Sequence, residues 1–158
     1  MKSLLVFGLM AALTACSKKP IQPEGKSLVA GFQLTNPYGI PTTTFHPGED
    51  LIFSFAVVNQ TERAQPWRLP DTRPFAIFEV YLGEGLIGTT VDGYGFFPVV
   101  VEGELQSGGI LAAKDSWLEN GEHRSLTAGN YTLVAKPQLK FDDFGTLPDK
   151  KIDFEVVQ

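Results

Sequence analysis

The chain predicts an all-β sandwich, on three observations. Its composition is rich in turn formers and β-preferring aromatics, with 16 Gly, 11 Pro and 12 Phe in 158 residues. From Ser27 onward the apolar residues fall in short runs of period two. Clusters of Gly, Pro, Asn and Asp separate these runs at intervals of about ten residues, and no segment keeps a helical period for long. With 43% hydrophobic and 20% charged residues the chain is ordinary for one core and too short for two.

Candidate strands are Leu28 to Leu34, Asp50 to Val58, Phe75 to Leu82, Leu86 to Val91, Phe97 to Leu105, Ile110 to Trp117, Asn130 to Pro137 and Lys151 to Val157. Roughly eight strands at this spacing pack as two antiparallel sheets. In the second, Leu51, Phe53, Phe55 and Val57 alternate with Ile52, Ser54, Ala56 and Val58, which puts the first set in the core. It opens after the turn Pro47-Gly48-Glu49 and ends at Asn59, and residues Asn59 to Pro66 read as a polar connection. The last strand sets Ile152, Phe154 and Val156 against Asp153, Glu155 and Val157, the pattern of one wet face closing a sheet. Leu126-Thr127-Ala128-Gly129-Asn130-Tyr131 has the spacing of a tyrosine corner, whose hydroxyl bonds to backbone just upstream. That feature narrows the expectation to an immunoglobulin-like antiparallel sandwich of about 7–9 strands over residues 27–158.

The first residues read as an address. Lys2 supplies a positive start, and Leu4 to Leu13 is an uncharged apolar run of about ten residues, the length of a secretory core and short of the about 20 needed to cross a bilayer. It ends in Leu13-Thr14-Ala15-Cys16, which resembles the lipobox of bacterial lipoproteins. The resemblance implies a signal peptide over residues 1–15, diacylglycerol alkylation of the Cys16 thiol, cleavage before it, and acyl chains such as palmitate that fix the protein to a membrane. Ser17 after the lipidated position resembles the outer-membrane default, if the host is Gram-negative. Cys16 is the only cysteine, so the chain forms no internal disulfide. Residues 16–26 continue with Ser-Lys-Lys-Pro-Ile-Gln-Pro-Glu-Gly-Lys, too polar to bury surface against chain entropy, and read as a flexible tether.

Three segments carry a second resemblance: Phe45-His46-Pro47-Gly48-Glu49 with the strand through Asn59-Gln60-Thr61, then Phe75 to Val80, then Leu126 to Leu133. Together they resemble the immunoglobulin-like domain of the intracellular proteinase inhibitor family of bacilli. That likeness implies the same fold and, as an alternative function, inhibition of a protease; Phe96 to Asn120 departs from the family's pattern.

Chemistry-bearing residues are sparse. A triad needs a base beside a nucleophile, and only His46 and His123 are available, each in a polar turn setting. Two distant histidines and a lipidated cysteine supply too few ligands for zinc. Asp142 and Asp143, with Asp149 nearby, lack the alternating spacing of a calcium loop. Glu102 and Glu104 alternate on one strand and so share one wet face. No catalytic residue, metal site or cofactor is assigned, and no enzyme activity is expected. The net charge of −5 at pH 7, which loss of Lys2 takes to −6, argues against nucleic acid as a partner.

The least ordinary stretch is Val91-Asp92-Gly93-Tyr94-Gly95-Phe96-Phe97-Pro98. Aromatics in a glycine-punctuated turn act as interface anchors, which makes Tyr94 and Phe96 the candidate partner-binding residues. A competing reading folds Phe96 and Phe97 back as a core plug, since aromatics are mostly buried. The finer expectation is Tyr94 exposed and Phe97 buried, leading into Val99-Val100-Val101. The function expected is a membrane-anchored, non-enzymatic interaction domain of the bacterial cell envelope, its partner another envelope protein or a glycan.

Overall fold

The computed structural model describes residues 27–118 and 125–158. The twelve strands in them are β1 (Leu28–Thr35), β2 (Thr44–Phe45), β3 (Ile52–Asn59), β4 (Gln65–Leu69), β5 (Ala76–Leu82), β6 (Gly85–Thr89), β7 (Val101–Leu105), β8 (Ile110–Ser116), β9 (Gly129–Pro137), β10 (Lys140–Phe141), β11 (Gly145–Thr146) and β12 (Lys150–Val156). Two sheets make the sandwich, one ordered β1-β3-β8 and the other β2-β12-β9-β5-β6. All pairings are antiparallel except β2 with β12. The chain therefore starts in one sheet as β1 and, past a turn held by the Asn36 side chain, joins the other as β2. Crossed connections, a three- and a five-stranded sheet and a tyrosine corner make this an immunoglobulin-like sandwich.

Alternation produces the core as the sequence predicts. Leu51, Phe53, Phe55 and Val57 are buried from one sheet, and Phe78, Val80, Leu133 and Phe154 face them from the other. The sheets meet through aromatic rings: Phe53 lies 5.3 Å from Phe78 and 6.4 Å from Trp117 between centroids. The first pair is tilted and the second edge-on, and aromatic contacts of this kind add to area burial. The turn before β3 is set by Gly48 at φ 86, with the Glu49 carboxylate accepting from the His46 amide at 3.0 Å.

Tyr131 makes the expected corner. Its ring stacks on Phe154 at 5.3 Å, and its hydroxyl donates to the Thr127 carbonyl at 2.8 Å. Replacing Tyr131 by Phe keeps the ring and removes that bond, so urea unfolding is expected to show a loss of about 1–2 kcal/mol. A midpoint unchanged within error would mean the hydroxyl bond contributes nothing.

A third sheet, β11-β10-β4-β7, lies outside the two expected. It is assembled from three excursions: β4 from the β3–β5 connection, β7 from β6–β8, and β10 with β11 from β9–β12. Gln65, Leu69, Leu105 and Phe141 are its buried residues, and its three hydrophobic members belong to the main core. Trp67 pairs with Gly103 across β4 and β7, and a methyl group on Gly103 would meet the indole at 2.5 Å. Only glycine lets the ring lie this close.

The polar connection expected over Asn59 to Pro66 is corrected by this sheet. Asn59, Thr61 and Gln65 are buried, and β4 begins at Gln65. Asn59 Nδ2 donates to the Arg63 and Leu105 carbonyls, both at 2.8 Å, while its Oδ1 accepts from the Thr61 amide at 2.9 Å and hydroxyl at 2.7 Å. These residues are polar because they satisfy buried backbone where three connections meet. The strand expected from Phe97 to Leu105 is likewise shorter, beginning at Val101.

Strand direction sorts the connections by end. Leu28, Asn59 and Ile110 lie together at one end of the first sheet, and Thr35, Ile52 and Ser116 at the other. In the second sheet Phe45 and Gly129 both pair with Val156, and residues 46–51 lead from Phe45 straight into β3. The Gly129 end is thus the Ile52 end. Ser27, the third sheet's excursions and residues 90–100 all belong to the opposite end, where the Gln60 amide donates to the Ser27 carbonyl at 3.0 Å.

Candidate functional site

Residues 90–100 leave β6 at the Ser27 end and are held from both sides. Asp92 ties the first half, its carboxylate accepting from the Thr89 amide at 2.7 Å and hydroxyl at 2.8 Å, and Gly93 takes φ 79 to turn the chain. The second half is bonded to residue 72: the Phe97 amide donates to Thr72 Oγ1 at 3.0 Å, and the Thr72 amide donates back to the Phe97 carbonyl at 3.2 Å.

Beside that contact, Arg73 is clamped by Asp71 through bonds of 2.7 and 2.5 Å and donates to Gln138 at 3.2 Å. The hydrogen bonds from Arg73 hold the Asp71 carboxyl below its usual pKa, and Asp71 holds the guanidinium above its own. Both shifts favour the ion pair. The guanidinium carbon sits 5.8 Å from the centre of the Phe96 ring, within cation–π range.

The result is a loop with a fixed back and an apolar front. Phe96 is half-buried under Arg73, whereas Tyr94 is 55% exposed, Phe97 74%, Val99 59% and Val100 58%. The expectation of an exposed Tyr94 agrees with this. The expectation that Phe97 is core does not, and the reason is local: Phe96 takes the position against Arg73, and the Phe97 backbone is held by Thr72 while its ring stays exposed. The core-plug reading therefore holds in part for Phe96 and fails for Phe97. Sequence reasoning also passed over Asp71-Thr72-Arg73, the support of the loop; its signal was three hydrogen-bonding residues set between Pro70 and Pro74.

The other candidate residues are dispersed. His46 is exposed in its turn, and Cys16 and His123 lie outside the described residues. Asp142 pairs with Arg68 at 3.4 Å and Asp143 with Arg63 at 2.7 Å. Glu102 and Glu104 are both exposed on β7, as their spacing predicts, with Arg68 opposite Glu102. Among the described residues no group of three or more His, Cys, Asp or Glu side chains is placed to hold a metal. On β5, Glu79 accepts from the Tyr81 hydroxyl at 2.5 Å and from Lys136 at 2.8 Å. Those bonds raise the pKa of both donors, so Tyr81 stays protonated and Lys136 charged. A depression of about 530 Å³ between Thr43, Gly83, Tyr131 and Glu155 is open to solvent; of the acids beside it, Asp153 accepts from Thr132 and Glu155 from Thr44.

No family model matches the chain, and no curated protein matches it. Among solved structures it is similar to the CARDB domain of a Pyrococcus furiosus protein, at 12% identity and a TM-score of 0.42 over 85% of this chain and 90% of that one. It is also similar to a PapD-like domain of human CEP192, at 11% identity and 0.39 over 95% and 99%, and to the putative ApaA protein of Bordetella pertussis, at 11% and 0.48 over 85% and 97%.

Proposed function

We propose that this chain is an exported lipoprotein, fixed to a bacterial membrane through Cys16, whose immunoglobulin-like domain is a non-enzymatic binding module of the cell envelope. The observation that carries the binding role is the loop at 94–100: four large apolar side chains face solvent on a backbone held by Asp92, Thr72 and Arg73. Exposing such groups next to one another costs solubility, and a fixed back lowers the entropy lost on binding. The anchor rests on Leu13-Thr14-Ala15-Cys16 and on the absence of any second cysteine to pair with Cys16. Two or three acyl chains hold a protein stably on a bilayer, at about 0.8 kcal/mol per buried CH₂.

The test of the anchor is Cys16→Ser in the full-length chain. Detergent partitioning is expected to move the variant wholly into the aqueous phase, with the domain's unfolding midpoint unchanged. A variant that still enters the detergent phase like the unaltered protein would refute it.

A further inference from the structure

We infer that the partner of the 94–100 loop is the bilayer itself, and that Tyr94, Phe97, Val99 and Val100 insert into the headgroup region of the membrane that holds the anchor. This rests on the lipoprotein reading above and adds to it an orientation and an occupant. The argument begins with where the anchored chain enters the domain. Ser27 lies at the same end as the loop, fixed there by the Gln60 amide at 3.0 Å. Residues 17–26 separate it from Cys16, and ten residues reach about 35 Å at most. The Ser27 end therefore stays within loop reach of the lipid surface, and the Gly129 end, with Tyr38 in the turn after β1, faces away.

The side chains suit that position. Tyr, Phe and Val are interfacial and apolar types, and at 55–74% exposure they have little else to cover them. A tether of this length keeps the loop at an effective concentration of order millimolar, so a weak insertion suffices to populate the docked state. Charge is not the driving force. The chain is acidic, at −5; at this end Asp71 is paired with Arg73, Asp142 with Arg68 and Asp143 with Arg63, Asp92 is bonded to Thr89, and Glu102 and Glu104 stay exposed, so salt does not weaken the approach. Docking should therefore survive high salt, unlike that of a polybasic segment.

The experiment uses the full-length chain purified from the membranes of an expressing bacterium, carrying Phe97→Trp, in vesicles of phosphatidylethanolamine and phosphatidylglycerol at three to one. Intact mass first reports whether Cys16 carries diacylglycerol. With the lipid present, the introduced indole, read as the difference from the unaltered chain with its Trp67 and Trp117, is expected to emit to the blue of its aqueous position and to be quenched by brominated acyl chains, at low and high salt alike. Tyr38→Trp, at a position 87% exposed on the far end, is expected to do neither. Adding Val100→Asp to Phe97→Trp should lower the docked fraction at least about tenfold without moving the unfolding midpoint, because that side chain is solvent-exposed in the free domain. A lipidated protein whose indole stays water-like and unquenched overturns the inference and leaves the anchor standing. An unlipidated Cys16 removes the tether and the inference with it. Shielding that appears only when envelope proteins are added assigns the loop to a protein partner and likewise overturns it.

Discussion

Replacing Asn59 by Ala is expected to destabilise the domain by about 2–4 kcal/mol, close to the cost of removing a core residue. Asn59 is fully buried and its side chain makes four hydrogen bonds. Thr61 Oγ1 already reaches the Arg63 carbonyl at 2.9 Å and keeps that group paired in the variant. The Thr61 amide has no such substitute, and a buried orphan costs about 1–3 kcal/mol; the Leu105 carbonyl loses one of its two partners and keeps its place in the ladder to Gln65. The cavity left by the carboxamide adds to this. Because Leu105 ends β7 and Gln65 opens β4, the damage should be uneven: amide exchange is expected to accelerate in β4 and β7 well before it does in β9. A urea midpoint within about 1 kcal/mol of the original would show that water takes over these bonds and that the site is less enclosed than its burial implies.

Phe53→Ala is the second large effect, with an expected cost of about 3–5 kcal/mol. Phe53 has no exposed surface and touches Phe78 of the opposite sheet and Trp117 beyond β8. Truncation opens a cavity between two sheets whose backbones are fixed by their ladders, so little collapse is available to fill it. Against a total stability of about 5–15 kcal/mol, that loss leaves a domain partly unfolded at growth temperature. Phe53→Leu separates area from shape: it should cost roughly half as much, and thermal unfolding that finds the two variants equal would place the stabilisation in ring geometry instead of buried area.

The contrast between these two residues also marks how much the sequence reveals. Phe53 was legible as core because its strand alternates over eight positions, and a period of that length has one reading. Tyr131 was legible because its partner is four residues away. Asn59 was not: its carbonyl partners include Leu105, and no local pattern reveals a contact 46 residues distant. The third sheet escaped for related reasons. β10 and β11 have two residues each, too few for a period, and Pro66 stands inside β4. The Pro66 carbonyl accepts from the Asp142 amide at 3.2 Å, so its missing N–H falls on the β10 side, where pairing stops, and not in the ladder to β7. Of the candidate site, the exposed Tyr94 could be read from glycines on either side. The outward Phe97 could not, because Thr72, which takes both its backbone groups, is 25 residues away.

The pairing of β1 with β3 has a mechanical meaning. A pull arriving from the N-terminal side enters at Ser27 and runs lengthwise along β1, against its antiparallel neighbour β3. Eight residue pairs, from Leu28 opposite Asn59 to Thr35 opposite Ile52, then carry the load side by side. Such a ladder is sheared and cannot be peeled one bond at a time, so it must fail as a whole. Beyond it, β2 is stitched into the opposite sheet beside Val156, so a strand dragged out of the first sheet still grips the second. A strand pulled across its ladder would instead unzip one bond at a time, and β1 is spared that as long as the force runs along it.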